Sequence, residues 1–138
     1  MKQNITIVNK LRTSGLRPTK QRIRIAKFLF NREKTFHFTI DNLNKILNKK
    51  GTPKKISLAT IYNTTEAFKK AGYVKEILTN NNKSYFDTNI ISHHHFYDSE
   101  TKELKDIKYD KIKITKLPHA PKGKKIKSCE VIISLAKQ

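Results

Sequence analysis

Apolar positions along the first half of the chain recur at three- and four-residue intervals, and from Tyr73 onward they alternate. The first pattern is that of amphipathic helices and the second that of half-buried strands. "NITIVNKLRTSG" predicts a short helix ending at Gly15. Pro18, tolerated in a first helical turn, then opens "PTKQRIRIAKFLFN", with Ile23, Ala26 and Phe30 on one row and Ile25 and Leu29 on the next. Thr39 is placed to N-cap "IDNLNKILNKK", where Ile40, Leu43 and Leu47 form the buried stripe before Gly51 and Pro53 stop the helix. Ser57 caps the fourth helix, "LATIYNTTEAFKKAG", whose stripe is Leu58, Ile61, Phe68 and Ala71 and whose left-handed terminal residue is Gly72.

Beyond Gly72, "YVKEIL" and "KSYFDTN" flank the turn-rich "TNNN" and predict a hairpin. "HHHFY" and "ELKDI" around "DSETK" predict a second. Pro118, Pro121 and Gly123 leave room only for a short helix after Ile107. "CEVIISLAKQ", with Val131, Ile133 and Leu135 alternating with a second apolar row, reads as a strand buried on both faces. A second part of this size is too small to bury such a strand, and pairing with a second copy would cover it.

Three helices, a fourth capped helix and a polar-tipped hairpin follow the order of a winged helix-turn-helix. An unrelated small helical bundle is the alternative. The outward face of the fourth helix separates them, because Ala59, Thr60, Tyr62, Asn63 and Lys70 are short or hydrogen-bonding residues that suit a major groove, although Glu66 lies on the same side.

Composition strengthens that reading. At 138 residues, with 30 Lys and Arg against 11 Asp and Glu, the chain has a formal charge of +19. Such an excess calls for a polyanionic partner, nucleic acid first, although a Lys-, Asn- and Ile-rich coding bias contributes to it. The charge is uneven: residues 1–91 carry 19 basic and 5 acidic side chains, and residues 92–138 carry 11 and 6. No apolar run approaches the ~20 residues that span a bilayer, and "MKQNITIVNK" has no apolar signal-peptide core, so a soluble, cytoplasmic protein without membrane partners is expected.

The candidate chemistry lies in "ISHHHFYDSE". On a strand His93 and His95 share a face and His94 takes the other. Two imidazoles on one face can chelate, Asp87 and Asp106 offer carboxylates, and His37 offers a third imidazole, which together suit a divalent first-row metal. An exposed polar strand is the plain alternative. Cys129, the single cysteine, excludes a disulfide and any multi-thiolate zinc site within the chain. No nucleophile elbow, HExxH or P-loop is present, and His119 in "LPHAPKG" reads as a loop residue, so an enzyme is not expected. A metal-independent, basic nucleic-acid-binding protein would explain the charge alone.

The segments "GLRPTKQRIRI", "FHFTIDNL", "SLATIYNTTEAFKKAGYVKEI", "KSYFDT" and "HHHF" occur in the order and spacing of the ferric uptake regulator (Fur) superfamily, which the chain resembles over nearly its whole length. "SLATIYNT", "YFDTN" running to "HHHF", and "LPHAPKG" are most similar to its iron response regulator (Irr) branch. The resemblance implies an α+β protein: a winged helix-turn-helix DNA-binding domain at 1–88, then a small α/β domain at 89–138 for dimerisation and for sensing metal or haem. It implies an iron-responsive homodimeric transcription regulator, a repressor and in some members an activator, on palindromic AT-rich double-stranded DNA.

Matched position by position, Tyr62 falls on the tyrosine that touches bases and phosphate, with Thr60 and Asn63 beside it, and Arg17 on the basic residue that reaches the minor groove. His37, Asp87, His93, His95 and Asp106 fall on the regulatory metal site, for Fe(II), Mn(II) or Zn(II). Where many members carry the first CxxC of a structural zinc site this chain has Asp98 to Thr101, so that zinc is not expected. The Irr-like features point to haem as the alternative ligand, without the Cys-Pro haem motif of some relatives.

Overall fold

The computed structural model describes residues 2–52 and 54–138, so the expected stop at Pro53 lies outside the described residues. The chain divides into two compact units, residues 1–90 and 91–138.

The first unit contains α1 (Lys2–Thr13), α2 (Lys20–Phe30), α3 (Ile40–Leu47) and α4 (Leu58–Lys70), with strands β1 (His37–Phe38), β2 (Lys75–Leu78) and β3 (Ser84–Asp87). Each boundary has a local chemical cause. The α1 helix ends at a left-handed Gly15, φ +77°. The N-cap of α2 is Thr19, whose hydroxyl accepts from the Arg22 N–H, so Pro18 stands just outside the helix instead of opening it. Thr39 and Ser57 cap α3 and α4 by accepting from the N–H groups of Asn42 and Thr60. Such caps are worth ~1 kcal/mol each.

The core of this unit joins Ile7 and Leu11 of α1, Ile25, Ala26 and Leu29 of α2, Leu43 and Leu47 of α3, and Ile61 and Phe68 of α4. Ile23, Phe30 and Ile40 are only partly buried against it. Leu58, expected in the buried stripe of α4, is 53% exposed. Two turns on, Thr64 and Thr65 take buried places instead, and the Thr65 hydroxyl donates to the Ile61 carbonyl at 2.8 Å. The first residue of a capped helix projects beyond the layer it packs on.

The hairpin β2–β3 turns through Asn82 at φ +59°. The sequence did not reveal β1, which adds to the other edge of β3 and makes an antiparallel sheet of order β1-β3-β2. Phe36 and Phe38 hold it there: Phe28, Phe36, Phe38 and Phe86 form a run of ring contacts 5.6–5.7 Å between centroids, from α2 to β3. Phe36 also exchanges hydrogen bonds with Thr88.

The second unit is a three-stranded sheet of β4 (His94–Asp98), β5 (Glu103–Ile107) and β6 (Ile132–Leu135), with β4 central, antiparallel to β5 and parallel to β6. A 3-10 turn, Tyr109–Lys111, is the short helix expected after Ile107. The double burial expected for the last strand is not observed within one chain. Ile133 and Leu135 are each 38% exposed, because β6 is an edge strand and the unit is too small to cover it.

Candidate metal centre and recognition helix

Two groups of potential metal ligands arise, one in each unit. In the first, the β1–β3 register sets His37 opposite Asp87. Phe36 and Phe38 on either side of His37 pack their rings along the aromatic run, and alternation sends the imidazole to the opposite face. Its Nε2 lies 3.1 Å from Asp87 Oδ2, and Asp87 is fully buried. The other carboxylate oxygen, Oδ1, accepts the Asn89 N–H at 2.8 Å, which fixes the rotation of the group.

In the second unit His95 stands directly across from Asp106 in the β4–β5 register, and His93, two residues earlier, projects on the same side. The two imidazoles, with ring centroids 4.3 Å apart, each place Nε2 at 3.3 Å from Asp106 Oδ1. His93 and His95 are both buried. His94 points elsewhere: it stacks on Tyr109 at 5.1 Å, and its Nδ1 accepts the Val131 N–H at 2.8 Å. That bond ties the chain entering β6 to β4 and occupies the Nδ1 of His94.

The tautomer of His93 follows from its neighbour. Its Nδ1 lies 2.6 Å from the Ile91 carbonyl oxygen, which can only accept, so Nδ1 carries the proton. Nε2 is then the ring nitrogen turned toward Asp106, where it pairs with the carboxylate when protonated and can offer a lone pair to a metal ion when not. Anchoring one ring nitrogen on a carbonyl is how ligating histidines are commonly oriented. The ligand atoms of His93, His95 and Asp106 lie within 4.8 Å of one another. Metal–ligand arms of ~2.1 Å at roughly 90–109° place neighbouring donors about 3.0–3.4 Å apart, so the 3.3 Å separations fit two edges of a common coordination shell. Nitrogen and carboxylate donors without thiolate suit Zn(II), Mn(II) or Fe(II).

The residues expected to meet DNA lie in the first unit. Tyr62 is 51% exposed on α4, beside exposed Ala59 and Asn63. Thr60 is engaged differently: its hydroxyl lies 2.8 Å from the Ser57 hydroxyl within the N-cap, so it is partly committed to closing the helix. Arg17 is exposed and lines, with Lys20, Arg22 and Thr60, an open groove of about 750 Å³ between the start of α2 and the start of α4. Two features were not legible in the sequence. Lys69, near the C-terminus of α4, bonds Glu76 of β2 at 2.8 Å, linking helix to hairpin. Arg24 donates to the carbonyls of Leu47 and Lys54, bracing the turn before α4.

The model of the ferric uptake regulator family matches residues 13–134. The chain is 33% identical over 105 residues to the peroxide-responsive repressor PerR of Staphylococcus epidermidis, covering 76% of this chain and 67% of that protein. Among solved structures, that of the ferric uptake regulator from Pseudomonas aeruginosa with manganese has a TM-score of 0.69 at 23% identity, covering 96% of this chain and 98% of the other. The ferric uptake regulator of Vibrio cholerae gives a TM-score of 0.67 at 20% identity, with coverages of 92% and 96%. At these identities the structures establish a shared fold of mixed helix and sheet.

Proposed function

The chain belongs to the ferric uptake regulator family of metal-responsive transcription regulators, and from that premise we propose that it is an iron-responsive, sequence-specific repressor whose DNA affinity a divalent metal controls. The observation that carries the metal reading is the pair of buried imidazoles aimed at one oxygen of Asp106, with the His93 proton held on the opposite ring nitrogen.

The proposed ligand set joins both groups, His37 and Asp87 with His93, His95 and Asp106. One ion drawing on ligands from both units would favour one mutual arrangement of DNA-binding and dimerisation domains, a population shift in which affinity follows occupancy. Bound metal supplies charge neutralisation for two carboxylates. The protein's own residues supply the rest: Phe36 and Phe38 seat His37, the β4–β5 register presents His95 with Asp106, and Ile91 orients His93.

On DNA, Tyr62 and Asn63 read base edges and thymine methyls in the major groove, Arg17 enters the minor groove, and Thr60 supports them from the helix start. A second copy would cover Ile133 and Leu135 on the edge strand, and the resulting two-fold pair of recognition helices matches a palindromic AT-rich operator. The working compartment is the cytoplasm.

An Irr-like, haem-responsive protein is the second reading. It rests on the resemblance, with which the turn after the histidines agrees only in carrying no cysteines: Asp98 Oδ1 there accepts from the Glu100 and Thr101 N–H groups. Titration of chelator-treated protein with Fe(II), Mn(II), Zn(II) and haem, followed by absorbance and by binding to a palindromic AT-rich duplex, tests both. The metal reading expects a change in DNA affinity with metal that a His93→Ala, His95→Ala double variant abolishes. A Soret band lost in that variant, with DNA released as haem binds, selects the haem reading. The absence of both responses would refute ligand control.

A further inference from the structure

The turn between α3 and α4 is the most basic short stretch of the first unit: Lys49, Lys50, Lys54 and Lys55 fall within seven residues, and no carboxylate occurs between Asp41 and Glu66. All four side chains are exposed. Lysine-rich turns are ordinarily loose, but hydrogen bonds pin this one on both sides. Asn48 grips Ile56 twice, donating to its carbonyl at 2.8 Å and accepting its N–H at 2.6 Å. The Arg24 guanidinium holds the Lys54 carbonyl at 2.8 Å and the Leu47 carbonyl at 2.6 Å. Thr52 closes the tip on the Lys49 carbonyl through its hydroxyl at 2.8 Å, and Gly51 takes a φ of +95°, where a side chain would be strained.

These bonds anchor buried Ile56 and the end of α3, and in doing so they hold the turn's exposed lysines in place. We infer that Lys49, Lys50, Lys54 and Lys55 form a phosphate-binding ridge, by which the protein grips the DNA backbone beside the recognition helix. The inference rests on the DNA-binding reading above and adds to it a contact surface outside α4. Position argues for the duplex as partner, because the turn runs directly into Ser57, the N-cap of α4, so its lysines stand at the end of the helix that presents Tyr62. Gln21 of α2 also reaches the Lys55 carbonyl at 3.4 Å, joining the turn to the helix start where Arg17, Lys20 and Arg22 line the groove with Thr60. The result is a basic strip running from α2 through the turn to α4. Lysines bind phosphates as point charges, and a braced backbone lowers the ordering cost of doing so.

Phosphate contacts set affinity and salt dependence without reading sequence. The test is a full-length variant carrying K49Q, K50Q, K54Q and K55Q, measured with metal on a palindromic AT-rich duplex and on a random duplex across a salt series. A matched control carries K122Q, K124Q, K125Q and K127Q in the second unit. Each lost phosphate contact is expected to reduce the slope of log K against log salt by ~0.9, so the turn variant loses about 2–4 in slope on both duplexes. Its preference between duplexes and its melting temperature stay those of the wild type, and the control keeps the wild-type slope. An unchanged slope in the turn variant, or an equal fall in the control, overturns the ridge. A wild type with no preference for the palindrome would instead sink the regulator reading, while the comparison of slopes still decides the ridge.

Discussion

His37 and Asp87, fifty residues apart in sequence, face each other across the β1–β3 rung with Nε2 and Oδ2 3.1 Å apart. A two-residue strand achieves this, and aromatic packing holds it in place. The carboxylate is fully buried, with one oxygen on the Asn89 N–H and the other on the imidazole.

Asp87→Asn therefore keeps the shape and the bond from Asn89 while removing the charge. Divalent-metal affinity is expected to fall by at least the ~10–100-fold that loss of an outer-shell partner costs. Competition with a chromophoric chelator measures it, and an unchanged affinity would remove Asp87 from the ligand set.

Tyr62→Ala acts on an exposed ring, so stability is expected to stay within about 0.5 kcal/mol of the wild type. Affinity for the palindromic duplex should drop more than affinity for random DNA. Equal losses on both, in a fluorescence anisotropy titration, would contradict base reading by this residue.

Asn48→Ala removes both bonds to Ile56 and leaves that buried residue's N–H and carbonyl without this partner. A loss of about 2–3 kcal/mol in urea unfolding is expected, since stranding buried backbone groups costs more than a hydrogen bond contributes. A change below 0.5 kcal/mol, about the scatter of neutral surface substitutions, would mean the turn is not braced through Asn48.

The helix-to-hairpin link predicts a pH effect. The hydrogen bond from Lys69, with one involving Ser84, holds the Glu76 carboxyl below its ordinary value, and the Glu76 partnership raises Lys69. A depressed carboxylate stabilises the fold above its unfolded pKa and loses that contribution as pH falls through the folded value. The loss should therefore occur below pH ~4.5, and at the alkaline end a corresponding loss should appear only as Lys69 deprotonates above pH ~10.5. Thermal melts of Glu76→Gln against the wild type, at pH 3 to 7, should converge at low pH and separate toward neutrality. Parallel curves across that range would refute the link.

Much of the first unit was legible because its signals are local. Thr39 and Ser57 cap the helices the pattern assigns them, Gly15 and Gly72 close theirs in the left-handed region, and the Asn-rich tip turns the hairpin. The errors sit where local pattern meets packing. Leu58 repeats at helical spacing yet projects beyond the core, and Pro18 lies one residue outside the cap. Alternation also separated His93 and His95 from His94, and the geometry within the second unit agrees with that division.

Periodicity, capping residues, charge and the histidine spacing are properties of neighbouring residues, so the sequence by itself determined the helices, the hairpins, the basic first unit and the candidate donors. Partners distant along the chain were decided by tertiary structure alone. The pairing of β1 with β3 put His37 on Asp87, the β4–β5 register put one oxygen of Asp106 before two imidazoles, and Arg24 with Asn48 braced the ends of a lysine-rich turn. The physical reason is that a register or a brace is chosen by the packing of the whole unit, where a shift of one residue would turn each side chain to the other face.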